Sequence, residues 1–119
     1  MLTLYKAKAI QEGCFIESFS IEGNPLKKWS NVLLDDLLVK EETLRRWTEC
    51  YVERFDKVKL WEGDQIYFNG DNGTIKFLPC RTVIEWDDGK VEDLWEYIDP
   101  ETMALTIDIE VIGNEKDEV

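Results

Sequence analysis

Residues 60–86 read LWEGDQIYFNGDNGTIKFLPCRTVIEW, and the fold class turns on how that stretch is parsed. Its apolar residues fall in runs too short for helices: Leu60-Trp61, Gln65 to Phe68, Thr74 to Leu78 and Arg81 to Trp86. Between the second and third runs stands Asn69-Gly70-Asp71-Asn72-Gly73. Asn-Gly is the strongest short hairpin signal, because both residues accept the positive φ of a tight turn. Pro79 has no N–H for a ladder, so it ends a strand or marks an edge. Asp87-Asp88-Gly89 closes the last run. Several short strands separated by glycine-bearing turns predict a small SH3-like barrel.

Towards the N-terminus, Leu4 to Ile10 and Cys14 to Ile21 flank Gln11-Glu12-Gly13 and predict a β-hairpin. Glu22-Gly23-Asn24-Pro25 is a turn. Val32, Leu33, Leu34, Leu37 and Leu38 have helical spacing, with Ser30 as N-cap and Asp35 and Asp36 facing water. Leu44, Trp47, Tyr51 and Phe55 share one face of a second expected helix, residues 42–56. Towards the C-terminus, Val91 to Tyr97 is ambiguous and Asp99-Pro100 breaks the chain. Leu105, Ile107, Ile109 and Val111 alternate with polar residues as a half-buried strand does. The expected architecture is α+β, mainly β: a small SH3-like barrel with one or two inserted helices. It forms a single domain over residues 1–114, followed by a short, disordered acidic tail over 115–119.

The chain of 119 residues suits one core. No apolar run approaches the ~20 residues of a membrane span. The N-terminus lacks a basic start leading into a long apolar stretch, so a cytoplasmic protein is expected. Cys14, Cys50 and Cys80 are odd in number and scattered, which fits reduced thiols better than a disulfide framework. Histidine is absent. That excludes histidine-based triads and removes the commonest metal ligand. Carboxylate chemistry remains open to the chain, but a non-enzymatic role without metal or cofactor is the expectation.

The formal charge is −12, and it is unevenly placed. Residues 1–84 carry 13 acidic and 12 basic side chains, whereas residues 85–119 carry 13 acidic ones against only Lys90 and Lys116. Direct nucleic-acid binding needs a cationic surplus that this chain lacks. An acidic surface suits a partner with a basic one, or serves only to keep the protein soluble.

Four segments, in order, carry a resemblance: Tyr5-Lys6-Ala7-Lys8-Ala9-Ile10 with Gly13 and Phe15; Glu42-Thr43-Leu44 with Trp47-Thr48; Leu60-Trp61-Glu62-Gly63-Asp64-Gln65-Ile66; and Glu110-Val111-Ile112-Gly113-Asn114. Together, over roughly residues 4–114, they resemble the YopX family of phage and prophage proteins. The resemblance implies a phage origin and a barrel-containing fold, and it brings no catalytic residues. The chain departs from the family pattern at Thr48-Glu49-Cys50-Tyr51 and in the tail.

Among candidate sites, Glu62 and Asp64 are paired carboxylates that could bind metal or move protons, but Glu-Gly-Asp is also plain turn chemistry. Asp71-Asn72-Gly73 resembles part of a calcium loop whose other ligands are missing. Trp29, Trp47 and Trp61 are expected in the core. The most suggestive cluster is Trp86, Asp87, Asp88, Glu92, Asp93, Trp95 and Glu96. Carboxylates spaced along a surface can imitate nucleic-acid phosphates, and exposed aromatics can anchor an interface; the plain alternative is a solvated acidic face over buried tryptophans. The expected function is that of a phage accessory protein that binds and inhibits a host protein. The target class is a defence nuclease or other nucleic-acid-handling protein, in the manner of anti-CRISPR or anti-restriction proteins. The alternative is a structural module that self-assembles into homo-oligomers through strand edges.

Overall fold

The computed structural model describes residues 3–22, 32–35, 37–53 and 55–118. The chain divides into two compact units, one up to Trp47 and one from Thr48 to Glu118. The mainly-β class holds. Among the described residues every helical segment is a 3-10 turn of three or four residues, and no helix is long and apolar enough to cross a membrane.

In the first unit, β1 (Tyr5–Lys8) and β2 (Phe15–Ser18) form the expected hairpin, with Tyr5 opposite Ser18 and Lys8 opposite Phe15. Gly13 takes the positive φ that the connection needs, at 72°. The first expected helix does not form. Its leucines pair instead as strands: β3 (Ile21–Glu22), β4 (Leu33–Leu34) and β5 (Leu37–Leu38) run antiparallel, with Leu34 opposite Leu37. Asp35, at φ 50°, makes the turn that a helix would not allow. The predicted cap at Ser30, the turn at Gly23 to Pro25 and Trp29 lie outside the described residues. The core is small: Ala7, Val32, Leu34 and Val39, flanked by Tyr5, Ile16, Ile21 and Leu44.

The second expected helix, over 42–56, is also absent. Glu41–Thr43 is a 3-10 turn, and β6 (Arg45–Tyr51) follows it. The Thr43 hydroxyl holds the turn, donating to Lys40 O at 2.6 Å and accepting from Lys8 N at 2.9 Å. The residues buried in β6 are Arg45, Thr48 and Cys50 rather than the apolar set with helical spacing; Trp47 is only half-buried and Phe55 is 87% exposed. Arg45 lies beneath Phe15, its guanidinium 4.9 Å from the ring centroid, and its Nε donates to Thr43 O. The alternation breaks at Arg46-Trp47, both half-buried between buried Arg45 and Thr48, and Glu49 takes a positive φ of 69°.

In the second unit, β7 (Lys59–Trp61) lies beside the end of β6, where Thr48 Oγ1 donates to Leu60 O at 2.7 Å. Then come β8 (Asp64–Phe68), β9 (Asp71–Leu78), β10 (Arg81–Trp86), β11 (Val91–Asp93) and β12 (Glu110–Asn114). The last five form one sheet in the order β11-β10-β9-β8-β12. The hairpin expected over Asn69 to Gly73 turns more tightly, at Asn69-Gly70 alone, both residues at positive φ and Phe68 opposite Asp71, so Asp71 to Gly73 join the strand. Pro79-Cys80 makes the next turn, with Leu78 opposite Arg81. The sheet is open, with β11 and β12 as its edges, so the described strands do not close the expected SH3-like barrel. Leu60, Ile66, Ile75, Ile84, Trp86 and Leu94 fill the core with Cys50, and Trp61 is buried as expected. The predicted strand over Leu105 to Val111 is displaced. Burial alternates from Leu105 to Ile109, but Leu105 joins no ladder: it forms an isolated bridge with Ile98 and donates its N–H to Tyr51 O, and the ladder begins at Glu110. Residues 115–118, expected as tail, form a 3-10 turn, and Glu115 meets Lys76 at 2.9 Å.

Candidate interaction surface

The seven residues grouped in the sequence lie along the β11 edge of the five-stranded sheet, the Asp87-Asp88 turn before that strand and Trp95-Glu96 after it, but not on one surface. β10 ends at Trp86 because Asp87-Asp88-Gly89 turns the chain: Trp86 N donates to Lys90 O, Gly89 N to Trp86 O, and Gly89 adopts φ 94°. Asp88 Oδ1 accepts Lys90 N at 2.9 Å, an Asx-type contact that fixes the tip. Asp87 and Asp88 are exposed there. Trp86 is not available as an anchor. It is 7% exposed and lies opposite Gly73, and its indole Nε1 has no hydrogen-bond acceptor among the described residues.

β11 then pairs back, with Glu92 opposite Ile84 and Asp93 opposite Val83. Consecutive strand residues face opposite ways, so these two carboxylates are on different sides of the sheet. Glu92 accepts the Tyr97 hydroxyl, and that bond, more than partial burial, pushes the Tyr97 pKa up to about 12. Asp93 lies 3.8 Å from the Arg81 guanidinium, an ion pair too long for a hydrogen bond. Leu94 is buried and anchors the following 3-10 turn, which leaves Trp95 52% exposed beside exposed Glu96. The outward members are therefore Asp87, Asp88, Trp95 and Glu96. Glu92 and Asp93 are half-buried and engaged, and Trp86 is core.

The Glu62/Asp64 pair proves to be turn chemistry. Gly63 turns at φ 85°, and Asp64, 6% exposed, accepts Trp61 N at 2.7 Å. Asn114, 5% exposed, donates to Asp64 Oδ1 at 2.9 Å and to Glu62 O at 3.0 Å, while its own Oδ1 accepts Lys116 N. Glu-Gly-Asp and the closing Ile-Gly-Asn thus form one buried polar clasp across fifty residues of chain. Asp71-Asn72-Gly73 is strand rather than loop. Among the described residues no group of three or more His, Cys, Asp or Glu could hold a metal ion. Cys14 and Cys80 are exposed, and burial pushes the Cys50 thiol up to about 11.

Sequence reasoning missed the other edge of the sheet. β12 pairs only with β8, and Val111 and Ile112 are 37% and 56% exposed. An open groove of about 530 Å3 lies beside it, lined by Val52, Glu53, Val58, Asp108, Glu110 and Val111 among others. The signal was present in Val111-Ile112: adjacent apolar residues on a strand cannot both face the core. The excess charge also follows the units. Residues 1–47 hold seven acidic and seven basic side chains, and residues 48–118 hold nineteen acidic and seven basic, a net −12. No family model matches the chain, nor does any curated protein or solved structure match it significantly.

Proposed function

We propose that the protein is a non-enzymatic binding protein whose acidic second unit engages and inhibits a host protein with a basic surface. The target class is a defence nuclease or another nucleic-acid-handling protein, and the setting is the phage origin that the YopX-like segments imply. One observation carries the reading: the whole excess of negative charge lies on the second unit, and exposed Trp95 adjoins exposed Glu96 on it. An aromatic anchor on a charged surface is the composition that gives an interface both affinity and steering. The contact set is Asp87, Asp88, Trp95 and Glu96, with Glu92 and Asp93 flanking.

A tagged pull-down from bacterial lysate, with and without nuclease, tests it. One basic protein recovered equally in both arms is expected, and the triple variant Asp87→Asn, Asp88→Asn, Glu96→Gln should lose it while keeping its melting temperature. Recovery that disappears with nuclease, or that survives the triple variant, overturns the reading.

A second reading, self-assembly through strand edges, is favoured by the apolar exposure of β12. A solution mass that stays monomeric across concentration counts against it.

A further inference from the structure

We infer that β12 is a docking edge for an extended basic peptide segment, which adds to the five-stranded sheet as a further strand. This site lies at the opposite edge of the sheet from the Asp87-Asp88 turn and stands independently of it.

A sheet edge presents a row of backbone donors and acceptors, and a partner strand can satisfy them. Among the described residues, no strand pairs with the outer side of β12. The strand is neither short nor polar enough to be blunted: five residues long, it exposes Val111 and Ile112. The chemistry beside it selects the occupant. Val111 lies opposite Ile66, on the core side of the sheet, and opens onto the groove with Val52 and Val58. Glu110 lies opposite Tyr67 and faces the other way. Asp108 and Glu53 rim the groove. An added strand of alternating character would place apolar side chains over Val52, Val58 and Val111, and cationic ones on the other face beside Glu110.

Charge also selects against the other occupants. The Glu53 carboxyl is held above its ordinary range, first by its hydrogen bond to Asp56 and then by repulsion from Asp56 and Asp108. These carboxylates already crowd one another, and a cation relieves that crowding while an anion adds to it. A second copy of the chain would bring its own −12 to the same edge. The register shift between Val111 and Gly113 disfavours long flat pairing. Together these devices discourage indiscriminate edge association and leave a short basic strand as the matched partner.

The test uses the whole protein and a synthetic peptide of about eight residues alternating valine and lysine. Amide resonances and hydrogen exchange are followed during titration. Shifts and slowed exchange centred on Val111 and Ile112 are expected, with affinity weakened at least about tenfold when alternate peptide amides are N-methylated. A valine–glutamate peptide should not bind. The double variant Asp108→Asn, Glu110→Gln should weaken binding and flatten its salt dependence. The methylated peptide keeps the test independent of how any protein variant folds. The inference is overturned by absence of binding, by equal affinity for the methylated peptide, or by slow exchange of the β12 edge without peptide together with a doubled solution mass. Shifts centred on Asp87 to Lys90 would overturn it as well, while supporting the turn as the basic-partner site.

Discussion

Gly73 has no room for a side chain. A Cβ there would stand 2.9 Å from both Ile84 Cγ2 and Trp86 Cε3, two buried groups of the facing strand. Gly73→Ala therefore forces the core apart and should cost about 1–3 kcal/mol by urea denaturation, the range for overpacking. Asn114 makes the opposite point. Its amide satisfies a buried carboxylate and a backbone carbonyl at once, so Asn114→Ala leaves both acceptors short of a donor and should cost about 1–3 kcal/mol. The thiols divide by position. An aromatic disulfide reagent should titrate Cys14 and Cys80 quickly in the native protein and Cys50 only on unfolding. Cys50 and Tyr97 also set the alkaline limit. Burial raises the first from 9.0 to about 11, and the bond to Glu92 raises the second from 10.0 to about 12. The unfolded chain thus ionises before the folded one, which holds more protons in that range. The stability tied to these groups is intact below about pH 9 and lost as pH climbs through 11 to 12. Equilibrium unfolding measured at intervals above pH 9 should show that decline, and Tyr97→Phe should remove its upper part.

At the scale of elements, the turns were legible and two strand pairs were not. Asn69-Gly70, Pro79 and Asp87-Asp88-Gly89 carry their geometry in their own chemistry; the last two turns fall where the sequence places them, and the first is tighter than the five residues Asn69 to Gly73 suggest. Leu33, Leu34, Leu37 and Leu38 satisfy helical spacing and a two-residue hairpin equally well. The choice between them lies in pairing with Ile21 and packing on Ala7, which no local window contains. β6 is hidden by its composition: its buried residues are Arg45, Thr48 and Cys50, a mostly polar set that no apolar periodicity reveals, and Glu49 stands at a positive φ inside it. That irregularity yields a prediction that runs against propensity. Valine is ordinarily better than glutamate in a strand, but at φ 69° a β-branched side chain is strained, so Glu49→Val should cost about 1–2 kcal/mol. Glu85→Val, at an exposed and regular position of β10, should stay within about 0.5 kcal/mol. Equal effects at the two sites, read from thermal unfolding, would show that the positive φ at Glu49 stores no strain.

Across the whole molecule, the sequence showed where the charge lies but not which side chains face out. The acidic third was read from counting alone. The burial of Trp86, by contrast, depends on Gly73 standing opposite it, a register set by two successive hairpins. The exposed edge at Val111-Ile112 is hidden in the sequence because the alternation from Leu105 onward reads straight through it. Charge asymmetry has its own consequence for stability. Nineteen carboxylates against seven cations on the second unit repel one another in the compact state and less so when the chain expands, whereas the first unit is balanced. Raising sodium chloride from about 10 to about 100 mM shortens the screening length from about 30 to about 10 Å, which reaches across much of one small unit. Amide exchange protection in β9 and β10 should rise over that range, while protection in β1 and β2 should change little. A uniform rise in both units would point to a general salt effect on burial. No rise in β9 and β10 would mean that local pairs such as Lys76–Glu115 already offset the repulsion, and would weaken the case that this charge is held ready for a basic partner.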